Sequence, residues 1–127
     1  MLMRRKITAA VAAVGLGSAG LVGAGTAAQA TVLDREQQRC GNALVTAKLE
    51  RDSREHEIDV EVYSDRRGER WRIIVQDADG EVLHRINRKT NREGEFDTWR
   101  SIPRSEERVK LRIQGPDKQR CVLTLRA

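Results

Sequence analysis

Five short runs of this chain alternate between apolar and polar residues with a period of two, and that period leaves few folds open. Ala43, Val45, Ala47 and Leu49 share one parity, against Thr46, Lys48 and Glu50 on the other. Ile58, Val60 and Val62 alternate with Glu57, Asp59 and Glu61. Trp71, Ile73 and Val75 alternate with Arg70, Arg72 and Gln76. Val109, Leu111 and Ile113 alternate with Arg108, Lys110, Arg112 and Gln114, and Cys121, Leu123 and Leu125 with Val122, Thr124 and Arg126. Side chains of a strand point to opposite faces in turn, so such runs read as antiparallel strands with one buried face.

Two weaker strands fill the middle. Glu81 to Asn87 carries Val82, Leu83 and Ile86, and Glu95 to Ile102 carries Phe96, Trp99 and Ile102. With Phe96 inward, strict alternation would also bury Arg100, a costly position for an unpaired charge. A bulge near Thr98 or Trp99 is therefore expected. The gaps hold turn residues: Asp65-Arg66-Arg67-Gly68, Asp79-Gly80, Glu93-Gly94 and Gly115-Pro116-Asp117. Seven short strands predict an all-β, seven-stranded antiparallel immunoglobulin-like sandwich over 42–127, with a small Greek-key β-barrel as the alternative.

The start of the chain has a different character. Arg4, Arg5 and Lys6 precede an apolar stretch from Ile7 to Gly23, and Ala28-Gln29-Ala30 supplies small residues for cleavage. This is the layout of a secretory signal peptide over residues 1–30. Residues 31–41 then read as a polar N-terminal lead-in. A secreted, extracellular protein is expected, with no stable membrane insertion once the signal is cleaved. The chain has 24 Lys+Arg and 19 Asp+Glu, and three of the cations lie in the signal, leaving 21 against 19. A net charge of +2 on the mature domain argues against nucleic acid as a partner.

The two cysteines, Cys40 and Cys121, lie near the ends of the mature chain. In an oxidising compartment an even pair predicts a disulfide, here closing 82 residues counted inclusively and tying the termini together.

The order Gly68-x-x-Trp71-x-Ile73-x-Val75, then Asp79-Gly80, then Thr90-x-x-x-Gly94-x-Phe96, then a late Cys121, resembles small secreted proteins common in Streptomyces and other actinobacteria. Those share the signal peptide and an early cysteine. The resemblance implies a fold and a compartment and carries no active site.

Catalytic signals are sparse. His56 and His84 have no Cys or paired carboxylate at metal-ligand spacing and read as exposed or incidental. Asp77-Ala78-Asp79-Gly80-Glu81 looks like a calcium-loop fragment without its later ligands, and a tight turn explains it more simply. No serine sits in an elbow motif. No metal site and no cofactor are implied, and binding is expected rather than catalysis. A small hydrolase with a carboxylate site and a secreted enzyme inhibitor using Arg88 to Gly94 are the alternatives.

The informative pattern is charge by strand. With strands three, six and seven in one sheet, its outer face carries Arg70, Arg72, Arg108, Lys110, Arg112, Arg120 and Arg126. The outer face of the other sheet carries Glu50, Glu57, Asp59, Glu61, Glu95 and Asp97. One basic and one acidic face are expected. The basic one would suit an anionic cell-wall polymer or an acidic secreted protein, and stacking of basic on acidic faces is the self-association it would allow.

Overall fold

A computed structural model describes residues 31–127; the export-signal expectation for residues 1–30 lies outside the described residues. Eight strands form two sheets. They are β1 (Thr31–Cys40), β2 (Ala43–Arg51), β3 (His56–Tyr63), β4 (Arg70–Gln76), β5 (Val82–Lys89), β6 (Glu95–Ile102), β7 (Arg108–Gln114) and β8 (Arg120–Arg126). The order is β1-β2-β3-β6 in one sheet and β5-β4-β7-β8 in the other, and every pairing is antiparallel. The chain changes sheet after β3, after β5 and after β6. Strands β2 to β8 are the expected immunoglobulin-like sandwich; no barrel closes.

The core follows the alternation. Val45, Leu49, Ile58, Val60, Trp71, Ile73, Leu111, Ile113 and Leu125 are all buried on inward parity. Each fully buried aliphatic side chain contributes about 1.5–3 kcal/mol, so this thin double layer is the main source of stability.

The segment read as a lead-in is instead strand β1, paired along its length with β2. Its outer residues are polar because it lies at the sheet edge, where backbone pairing holds it without a buried side-chain row. Gly41 and Asn42 link it to β2. Gly41 has φ 68°, as the first position of a two-residue hairpin turn requires.

Strand β6 has no bulge: its register with β3 runs unbroken from His56↔Ile102 to Tyr63↔Glu95. Irregularities occur between Val32 and Asp34 of β1 and between Val75 and Gln76 of β4. Arg100 is inward after all, because β6 is an edge strand and Arg100 reaches the open side of the sandwich. It stays half-buried there, and its guanidinium donates to Trp99 O at 2.7 Å and Thr98 Oγ1 at 3.3 Å. Burial, and then the charge of nearby Arg88, lower its pKa.

Two connections use one device. Asp77 Oδ1 accepts from the N–H groups of Asp79 and Glu81. Asn91 Oδ1 accepts in the same way from Glu93 and Glu95. The calcium-like fragment is thus a turn whose aspartate binds its own backbone. The candidate inhibitor loop shrinks to residues 90–94, and buried Thr90 anchors it by donating to Arg66 O at 2.6 Å and accepting from Glu69 N at 2.9 Å.

Candidate functional site

The pairing registers decide what the two outer faces carry. On the β5-β4-β7-β8 sheet, all seven cations expected there are exposed and outward: Arg70, Arg72, Arg108, Lys110, Arg112, Arg120 and Arg126. Arg85 and Lys89 of β5 join them, opposite Ile74 and Arg70. Sequence reasoning missed these two because adjacent Val82 and Leu83 obscure the parity of β5. Counting back from buried Ile86 would have placed both outward.

No aspartate or glutamate stands in any of the four strands of this sheet. Two cationic pairs, Arg70↔Lys89 and Arg108↔Arg126, lie directly across from one another. Like charges in that position destabilise a sheet. Along β7, Arg108, Lys110 and Arg112 repeat every second residue, about 7 Å apart, and neighbouring strands are about 4.8 Å apart. At the centre, Ile74 and the exposed Val122 flank Arg112 in one cross-strand row. No aromatic side chain points out of this face: Trp71 of β4 is buried in the core.

The outer face of β2, β3 and β6 carries the opposite sign. Glu50, Glu57, Asp59, Glu61, Glu95 and Asp97 all fall on outward parity. Glu50 is directly opposite Glu57, and Glu61 directly opposite Asp97. Carboxylate oxygens of Glu50, Glu57 and Asp59 lie within 4.8 Å of one another, and the Lys48 ammonium pairs with Glu50 at 3.4 Å. This convergence depends on pairing register, so no spacing within one strand could reveal it. It occupies an open sheet surface, without the cleft a glycosidase pair needs. A depression of about 300 Å³ lies further along the face, between Leu44, Tyr63 and Phe96 and the carboxylates of Glu61, Glu95 and Asp97.

The disulfide expected of Cys40 and Cys121 is formed. It joins edge strand β1 of one sheet to edge strand β8 of the other, with Cα atoms 5.3 Å apart. At the opposite end of the same two strands the Arg126 N–H donates to Asp34 Oδ2 at 2.8 Å.

The histidines differ from expectation. His84 bridges the sheets through Nε2 and Ser101 O, 2.8 Å apart. His56 is buried, 3% exposed, and its Nδ1 has no hydrogen-bond partner. Burial lowers its pKa, and the charges of Arg51 and Arg104 lower it further, against the opposing carbonyl of Glu106. A depressed folded-state pKa means that stability is complete above the unfolded value, about 6.5, and is lost as pH falls through the folded value. Chemical denaturation should show the parent protein losing stability as pH falls below about 6.5. His56→Gln should flatten that slope. An equal slope in the variant would assign the acid sensitivity elsewhere.

No protein family, no curated protein and no solved structure matches the chain.

Proposed function

We propose that the protein is a secreted, non-catalytic binder that holds a linear polyanion on the outer face of its β5-β4-β7-β8 sheet. An anionic cell-wall polymer of the teichoic-acid kind has the required chemistry. The observation that carries this reading is the sign segregation. Nine exposed cations point outward from four strands that hold no carboxylate, and two of their pairs face each other at a cost to stability. Solubility alone is served better by mixed charges.

Seven of the nine cations are arginines, whose planar guanidinium grips a phosphate through two parallel hydrogen bonds. The spacing of about 7 Å along β7 suits a chain of phosphodiesters lying along the strand. A nucleic acid is a poorer fit. The face offers no aromatic platform for bases and no helix for a groove. The resemblance to secreted actinobacterial proteins and the disulfide both agree with an extracellular partner.

Purified cell wall and long-chain polyphosphate are the probes. Retention should be strong at about 0.01 M ionic strength and lost near 1 M, where the Debye length falls from about 30 to 3 Å. A cation near an anionic surface contributes about 1 kcal/mol. The triple variant Arg108→Gln, Lys110→Gln, Arg112→Gln should therefore bind roughly 100-fold more weakly with an unchanged circular-dichroism spectrum. Retention indifferent to salt, or intact in this variant, would overturn the reading.

A further inference from the structure

The acidic face has no role in polyanion binding, yet six carboxylates gather on β2, β3 and β6 around Lys48, with Arg35 and Arg39 of β1 at the margin. We infer that it is a docking surface for the basic face of a second copy of this chain, so that the protein stacks head to tail. This goes beyond the polyanion reading, because it engages both faces and predicts association of the protein with itself.

Three observations support it. First, the faces match in sign: Glu61, Glu95 and Asp97 line one side of the depression on one, and Arg72, Arg85 and Arg112 stand at the centre of the other. Second, each face has apolar side chains among its charges. On the acidic face Tyr63, 48% exposed, and Leu44 line the depression of about 300 Å³. On the basic face Val122, 49% exposed, and Ile74 stand on either side of Arg112. An apolar contact enclosed by opposite charges is the layout of a protein interface, and an arginine over Tyr63 adds a cation–π contact. Third, the two surfaces are the outer faces of two packed sheets, so they point in opposite directions. A contact between them is heterologous. It leaves a free basic face at one end of the pair and a free acidic face at the other, so it grows an open stack rather than a closed dimer.

The footprint sets the strength. Four strands of about seven residues cover roughly 19 by 24 Å, or about 450 Å² per partner. That is about half of a standard interface, so the stack is weak and depends on electrostatic attraction. A polyanion occupies the same basic face and therefore dissolves it.

Sedimentation velocity of the purified protein at high concentration tests this. The average mass should rise with concentration at about 0.01 M ionic strength and return to the monomer near 1 M. Two charge-reversed variants give the direction of the contact. Glu61→Lys with Glu95→Lys reverses the charge beside the depression on the acidic face, and Arg85→Glu with Arg112→Glu reverses it at the centre of the basic face. Each variant alone should remain monomeric at low salt, and mixing them in equal amounts should restore association. A monomeric parent at low salt overturns the inference. So does either variant associating alone like the parent, or a mixture that stays monomeric. The Glu61→Lys, Glu95→Lys variant retains the whole basic face and should still bind polyphosphate, so failure of stacking and failure of polyanion binding are read separately.

Discussion

Reducing the Cys40–Cys121 bond, or replacing both residues with alanine, should lower the unfolding free energy by about 4–5 kcal/mol. The two cysteines are 81 positions apart, and the entropy of closing a loop of that length in the unfolded chain corresponds to about 4.5 kcal/mol. A domain of this size has about 5–15 kcal/mol in all. At the same corner the Asn42 N–H donates to Gln119 Oε1 at 3.0 Å, and at the far end of β1 and β8 the Arg126 N–H donates to Asp34 Oδ2 at 2.8 Å, both at exposed positions. Strand β1 adds few buried side chains of its own, Cys40 among them. Hydrogen exchange should therefore speed up first in β1 of the reduced protein, and urea unfolding should give the size of the loss. The basic face excludes both cysteines, so polyphosphate binding below the new midpoint should be unchanged. A reduced protein that unfolds at the parent midpoint would show that packing at the β1–β8 corner suffices without the bond.

How legible each part was depended on whether it buries side chains. Strands β2, β3, β4, β7 and β8 each place three or four apolar residues against the opposite sheet, and that requirement writes the period of two into the sequence. The parity of eleven of the expected face residues follows from it. Strand β1 escapes the same reasoning. Arg35, Glu36, Gln37, Gln38 and Arg39 are all exposed, and its pairing with β2 rests mainly on the backbone. The signal available was the Gly41-Asn42 step between Cys40 and Ala43, a two-residue hairpin turn with glycine first. Arg100 misleads for a related reason. Parity says that it points inward, but whether inward means core depends on the strand's place in the sheet, and β6 is at an edge. The meeting of Glu50, Glu57 and Asp59 needs the β2–β3 register, a fact about two strands that neither one states.

Trp71→Ala should cost about 3–5 kcal/mol, the range for removing a large aromatic from a packed core. Trp71 is 2% exposed on β4, a central strand of its sheet. Its indole N–H donates to Glu69 Oε1 at 3.3 Å, so the polar atom is satisfied at the end of the sandwich. The far edge of the ring lies against Gly115, so closely that a Cβ there would collide with it. Gly115 ends the β7 side of the β7–β8 connection, and the ring thus packs β4 against the turn that aligns β8. Truncation leaves a void that a backbone held by two neighbouring strands cannot collapse to fill. Trp71→Phe, which keeps an apolar ring but loses the Glu69 contact, should cost less, and Gly115→Ala should destabilise by pushing the indole from its place. Denaturant midpoints can be read from the fluorescence of Trp99, which remains in every variant. Arg70 and Arg72 flank Trp71 on the opposite parity, so their alignment in the basic face depends on the ring beneath them. Trp71→Ala should therefore weaken polyphosphate binding even at temperatures where it is still folded, whereas Trp71→Phe should not. A Trp71→Ala protein with the parent midpoint would mean that the indole fills space the core does not need.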